Sequence, residues 1–274
     1  MEKREIENRE LDLLLETIYQ HYGYDFRHYS KASMKRRVKQ FLSKSDCSDI
    51  MEMTSKVVSD KSFFALLVQD LSITVTEMFR DPGFYRALRQ YVVPYLKTYP
   101  FIKVWHAGCA TGEEVYSMAI LLKEEGFYDR AIMYATDFND AALQKAKEGI
   151  YPLEYIQSYT TNYQKAGGTG SFSEYYYARY DSVIMNKSLK KNITFANHNL
   201  VTDSAFGEMH LILCRNVLIY FDKTLQNQVL NLFKESLIHY GFLCLGVKEG
   251  LQFSDVVHNF KVIEGRQRIY RKMP

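Results

Sequence analysis

The sequence predicts an α/β protein built on a doubly wound, mostly parallel, Rossmann-like sheet, with a small helical domain ahead of it and a small β-rich insertion within it. Three observations carry this. Residues 1–72 show apolar positions at helical spacing throughout. From about residue 101 short β-branched runs alternate with amphipathic stretches, the rhythm of βαβ units. Between about 152 and 192 that rhythm fails, and AGGTG and the tyrosine cluster EYYYARY take its place.

Element by element, LDLLLETIYQHYG reads as a helix that ends at Gly23, a natural stop. SKASMKRRVKQFLSK follows, with Met34, Val38, Phe41 and Leu42 on one side and basic residues on the other. SDIMEMTSKVV and KSFFALLVQDL give two shorter helices. Residues 73–100 read as a linker and a further helix, for which Asp81 is the expected cap and Pro82 sits where the first turn tolerates proline. The α/β domain spans 101–274: strand IKVWHAG, helix EEVYSMAILLKEEG, strand AIMYATD, helix NDAALQKAKEG with Asn139 available as its cap, then ITFANHNL, HLILCRNVL, helix DKTLQNQVLNLFKESLIHYG and strand FLCLGV. VHNFKVIEGRQRIYRK reads as an antiparallel hairpin at the sheet edge.

With 47% hydrophobic and 24% charged residues the composition is that of an ordinary globular protein. No apolar run approaches the roughly 20 residues that cross a bilayer, and the start lacks the apolar centre of a signal peptide, so a soluble cytoplasmic protein is expected. Cys47, Cys109, Cys214 and Cys244 are far apart and form no metal-ligand spacing or disulfide framework; reduced, mostly buried thiols and no metal are expected. A net charge of +3 is too small to imply a nucleic-acid partner. Its distribution is uneven, since Arg27, Lys31, Lys35, Arg36, Arg37, Lys39 and Lys44 follow one another with no acid between them. Such a stretch is either a solvated helix face or a docking surface for an acidic partner.

In open α/β sheets ligands bind beyond the carboxyl ends of the strands, where Gly108-Cys109-Ala110-Thr111-Gly112 falls. Its glycines let the backbone turn sharply and approach a ligand closely. Glu113 and Glu114 come immediately afterwards, at a helix start where a dinucleotide site would hold its pyrophosphate. Two carboxylates there repel a pyrophosphate and favour a cation, and S-adenosylmethionine carries an ammonium and a sulfonium but no phosphate. Acids in a first turn also simply complement the helix dipole, by a few tenths of a kcal/mol. Asp137 ends the second strand, where an acid accepts hydrogen bonds from ribose hydroxyls or caps the following helix.

The segments T-x-T-E-x-F-R-D (Thr74 to Asp81), W-x-A-G-C-x-T-G-E-E-x-Y-S (Trp105 to Ser117), A-T-D (Ala135 to Asp137), A-x-x-G-x-Y (Ala146 to Tyr151), N-L (Asn199, Leu200) and C-R-N-V-L-I-Y-F (Cys214 to Phe221) together resemble the chemotaxis receptor methyltransferases, the CheR type. The resemblance runs in order along nearly the whole chain. It implies a class I methyltransferase fold with S-adenosylmethionine as cofactor, S-adenosylhomocysteine as product, and glutamates on the cytoplasmic helices of methyl-accepting chemoreceptors as acceptors. By the same resemblance Thr76 and Arg80 contact the cofactor's amino-acid end, Glu114 its ammonium and Asp137 its ribose, while Asn199, Leu200, Arg215 and Asn216 surround the adenosine. Tyr220 then lies near the methyl-transfer site, and Arg80 orients either the acceptor or the methionine carboxylate. Thr74 stands where many relatives carry Asn, so its hydroxyl replaces part of the amide's hydrogen bonding. The basic helix around Arg36 and Arg37 becomes the docking surface for the acidic receptor helix. Tyr175, Tyr176 and Tyr177 in the insertion either form a peptide-docking edge by strand addition or pack inward on a neighbouring helix. The alternative from another class is a non-catalytic S-adenosylmethionine-binding signalling module.

Overall fold

Four helices open the chain in the computed structural model of the protein, which describes residues 2–72, 75–205 and 207–274, with 2–7 given by backbone alone. They are α1 (Glu2–Tyr22), α2 (Lys31–Leu42), α3 (Ile50–Ser59) and α4 (Lys61–Leu71). Gly23 ends α1 in the left-handed region at φ +74°, its N–H donating to Tyr19 O at 2.9 Å. Asp49 and Asp60 start α3 and α4 by accepting N–H groups of the first turn, from Glu52 at 2.8 Å and from Ser62 at 2.8 Å. Leu14, Ile18, Val38, Met53, Val57 and Leu67 are fully buried, which matches the helical spacing of apolar residues. These helices form one compact unit together with Tyr220–Gln228.

The second unit comprises Thr74–Ile219 and Val229–Pro274. It begins with α5 (Pro82–Ala87), a wider π-type turn at Leu88–Val92, and α6 (Val93–Leu96). Asp81 stands before α5 but does not cap it: its backbone is left-handed at φ 57° and its carboxylate accepts no helix N–H. Arg215 takes that carboxylate instead, with Nη2 donating to Oδ2 at 2.7 Å. A charged partner thus displaces the expected cap.

The remaining elements are β1 (Ile102–Ala107), α7 (Glu113–Glu124), β2 (Ala131–Asp137), α8 (Asp140–Glu148), β3 (Ile150–Pro152), α9 (Ile156–Lys165), β4 (Tyr176–Arg179), β5 (Ser182–Met185), β6 (Ile193–Asn197), β7 (Met209–Cys214), α10 (Lys223–Ser236), β8 (Leu237–Leu245), β9 (Phe260–Glu264) and β10 (Ile269–Lys272). Seven strands form one sheet in the order β6-β2-β1-β7-β8-β10-β9. β6, β2, β1, β7 and β8 run parallel, and β10 is antiparallel to both β8 and β9, the hairpin expected at the edge. Every residue of β7 is buried, His210 included, as the apolar run Leu211–Cys214 requires of a central parallel strand. The strand order reverses between β1 and β7, so the switch point lies beyond Ala107 and Cys214.

The insertion carries the small antiparallel sheet, β3-β5-β4. It also carries α9, a helix absent from the β-rich expectation, whose Tyr159 and Tyr163 are buried one turn apart. Buried Glu124 of α7 ties the insertion down: Tyr163 Oη donates to it, as do Thr169 N at 3.0 Å and Tyr175 Oη at 3.3 Å, while Arg89 pairs with its other oxygen. The tyrosine cluster divides accordingly, Tyr175 packed inward and Tyr177 67% exposed.

Candidate active site

The loop after β1 is held open by two glycines. Gly108 has φ +78°, and a Cβ there would stand 2.6 Å from Val217 Cγ2; Gly112 has φ +92°, and a Cβ there would stand 2.9 Å from Ala146 Cβ. Only glycine satisfies both the backbone angle and the space. Ala110 between them is also left-handed at φ 48°, and its N–H donates to Asp137 Oδ2 at 2.9 Å. Asn139 N donates to the other oxygen of Asp137 at 2.9 Å, while the Asn139 side chain caps α8 through Ala142 N. Asp137 therefore organises the glycine loop besides facing the ligand end of β2. Phe79 and Asp81 (φ 53° and 57°) and Asn216 (φ 62°) are likewise left-handed. Side chains rarely adopt that region without compensation, and such strain concentrates at functional sites.

The adjacent acids at the start of α7 have different surroundings. Glu114 accepts from His106 Nδ1 at 3.0 Å and from Arg215 Nη1 at 3.1 Å. Burial pushes its carboxyl up, but His106 and Arg215 outweigh burial and hold it below the usual carboxylate range. Arg215 is 2% exposed, lies over the Phe84 ring at 4.0 Å, and also binds Asp81. Glu113 is 6% exposed and accepts the Thr111 hydroxyl at 2.6 Å, with Tyr159 as a second hydroxyl partner. No cation pairs with it among the described residues. Burial therefore pushes its carboxyl up to about 7.

Glu113 lines a cleft of about 580 Å³ together with Thr76, Arg80, Thr111, Lys145, Tyr151 and Tyr159. Of the residues singled out in the sequence, Thr76, Arg80 and Glu113 meet in this cleft, and Gly108 and Asp137 shape the loop beside it. Glu114, part-buried, pairs with buried Arg215 and does not line this cleft. Asn199 and buried Leu200 follow β6, with Asn199 Oδ1 accepting from Val201 N at 3.0 Å. Asn216 follows β7, its N–H bound to Glu249 Oε2 at 3.0 Å. Thr74 lies outside the described residues. Tyr220 is not part of the cleft lining; it groups with the N-terminal unit, where its carbonyl accepts from Ser30 N at 2.7 Å and the Arg37 guanidinium lies 6.0 Å from its ring.

Arg36 and Arg37 on α2 also differ. Arg36 is exposed, whereas Arg37 turns its guanidinium onto the carbonyl oxygens ending α4, donating to Asp70 O at 3.0 Å and Ser72 O at 3.3 Å. Sequence reasoning missed His106, Lys145, Tyr151, Tyr159 and Glu249. A histidine in an apolar strand and an acid just past the last parallel strand were the available signals.

These groups fit the cationic, phosphate-free end of S-adenosylmethionine. A buried carboxylate with hydroxyl partners and Lys145 acting only at longer range is costly to ionise, and an ammonium entering the cleft would stabilise its charge.

Comparison with known proteins agrees with the motifs in both parts of the chain. Residues 9–72 match the family described as CheR methyltransferase, all-alpha domain, and residues 74–269 match CheR methyltransferase, SAM binding domain. The chain is 53% identical over 263 residues to Cher3 of Pseudomonas putida, named as a methyltransferase, covering 96% of each. It is 29% identical over 229 residues to the chemotaxis protein methyltransferase of Listeria monocytogenes, covering 83% of this chain and 84% of the relative. With that of Salmonella typhimurium it shares 30% identity over 202 residues, covering 71% and 66%. The fold, the cleft and both matches together place this chain in the CheR methyltransferase family, with S-adenosylmethionine as its cofactor.

Proposed function

We propose that the protein is a protein-glutamate O-methyltransferase acting in the cytoplasm on chemoreceptor helices. The observation that carries this reading is the cleft in which Arg80 and Thr76 stand with the buried Glu113 carboxyl, which no cation contacts directly among the described residues. Bound S-adenosylmethionine supplies a sulfonium whose methyl group is transferred without further activation. Glu113 would accept a hydrogen bond from the ammonium, and Asp137 would hold the ribose hydroxyls with the lone pairs its backbone donors leave free.

An acceptor glutamate, with a reference pKa near 4.3, is already ionised at neutral pH, so no general base is needed. The protein's task is then to align one carboxylate oxygen with the bond being broken, at roughly 3 Å, and to remove water. Arg80 orients a carboxylate by charge-assisted hydrogen bonds, Tyr220 positions the acceptor, and the tyrosine wall of the cleft keeps water out. Arg36 and the exposed basic residues of α2 hold the acidic receptor helix by long-range attraction.

The test uses methyl-labelled S-adenosylmethionine and a cytoplasmic receptor fragment. Carboxyl methyl esters release volatile methanol in mild alkali, whereas methylated amines do not. Alkali-labile label on the fragment supports the reading. A protein that binds the cofactor and leaves the fragment unlabelled is a sensor, and the reading fails.

A further inference from the structure

Glu249 has no part in the site as read from sequence, yet it is one of the most enclosed carboxylates among the described residues, at 6% exposure. Its Oε2 accepts Asn216 N at 3.0 Å and Gly246 N at 2.5 Å, and its Oε1 accepts Ile219 N at 3.2 Å. With Val217 N also acting on it, four backbone donors from two loops thus converge on one side chain. Both loops leave the carboxyl ends of neighbouring parallel strands, β7 and β8. Gly246 makes the approach possible: a Cβ there would stand 2.7 Å from Glu249 Oε2 and 2.8 Å from Asn216 N. Asn216 is held at φ 62°, a conformation that costs energy unless its surroundings fix it. The Glu249 bond to its N–H is such a fixture.

We propose that Glu249 is a positioning residue for methyl transfer: its carboxylate is the template on which the loop Arg215–Ile219 is shaped, and it acts on the cofactor through Asn216. The proposal rests on the reading of Asn216 as a cofactor contact. A carboxylate suits the task better than an amide, because it accepts on both oxygens from every side while an amide must present two donors of its own. Burial pushes the Glu249 carboxyl up and the backbone N–H groups pull it back, so the arrangement depends on those donors being in place. Arg215 at the head of the same loop is pinned independently by Glu114 and Asp81, so the Glu249 bonds act on the part that follows it, at Asn216 and Ile219.

The experiment measures S-adenosylhomocysteine affinity by calorimetry, and thermal unfolding by circular dichroism, for Glu249→Gln, Gly246→Ala, Asn216→Ala and the Glu249→Gln/Asn216→Ala pair. Glu249→Gln is expected to weaken binding about tenfold, the loss of one charge-assisted hydrogen bond. Gly246→Ala retains the carboxylate but forces it from Asn216, and is expected to weaken binding in the same direction. The double variant should bind no worse than Asn216→Ala alone, since one route serves both. If Glu249→Gln lowers only the unfolding temperature, or if its effect adds fully to that of Asn216→Ala, the positioning role is overturned. If Asn216→Ala binds normally, the cofactor reading of Asn216 fails instead, and the proposal falls with it.

Discussion

Glu113 and Glu114 are neighbours in the chain with different partners: Glu114 faces His106 and Arg215, while Glu113 is hydrogen-bonded by the hydroxyls of Thr111 and Tyr159, with Lys145 acting at longer range. Consecutive helix residues project about 100° apart, so the two acids meet different surroundings.

A pH dependence follows. The Glu113 carboxyl lies at about 7 in the folded protein against an ordinary 4.5. A raised folded pKa contributes stability that is complete below the unfolded value and is lost as pH rises through the folded one. The ligand-free protein should lose about 3 kcal/mol between pH 4.5 and 7 from this group, and Glu113→Gln should flatten that slope in urea titrations. S-adenosylhomocysteine affinity should rise over the same window, because its ammonium prefers the ionised acid. An affinity independent of pH in the wild type would contradict this.

Breaking the Glu114–Arg215 pair has a different signature. Arg215→Met leaves Glu114 buried with His106 as its remaining partner, and should cost about 3–5 kcal/mol in unfolding free energy. The Glu114 contribution is present above its unfolded pKa and is lost as pH falls through the depressed folded one. The stability gap between the wild type and Arg215→Met, measured by urea unfolding, should therefore narrow as pH falls below the ordinary carboxylate range.

Gly108→Ala should weaken cofactor binding while leaving the N-terminal unit intact. The new methyl meets Val217 at 2.6 Å, and φ +78° costs a side chain about 1–2 kcal/mol by itself. Calorimetry with S-adenosylhomocysteine and thermal unfolding measure the two effects separately.

The mostly parallel sheet, its edge hairpin and the glycine loop were legible because each follows from local pattern: β-branched runs of strand length, helices between them, and glycines at a strand end. Three features were not. The helix α9 carries polar residues and two tyrosines rather than an aliphatic stripe, so its period is hidden within an aromatic segment. Asp81 looked like a cap because nothing near it in sequence announces Arg215, 134 positions away. Glu249 acts through backbone N–H groups, which leave no trace in side-chain pattern.

The basic face of α2 separates into two functions that its charge run merges. Arg37→Glu should destabilise the helical unit by about 1–3 kcal/mol, because it removes the donors to the carbonyls ending α4. Arg36→Glu should leave thermal unfolding and cofactor affinity unchanged while lowering receptor methylation, increasingly so at low salt. Equal unfolding temperatures for the two variants would refute the distinction.

The central claim is that carboxylates of a receptor are the acceptors. Peptide mass spectrometry of a cytoplasmic receptor fragment, after incubation with the protein and S-adenosylmethionine, tests it most directly. Methyl groups on glutamate side chains, abolished when those glutamates are replaced by alanine, are the expected result. Methylation of lysine, histidine or a terminus, with the glutamates untouched, would contradict it.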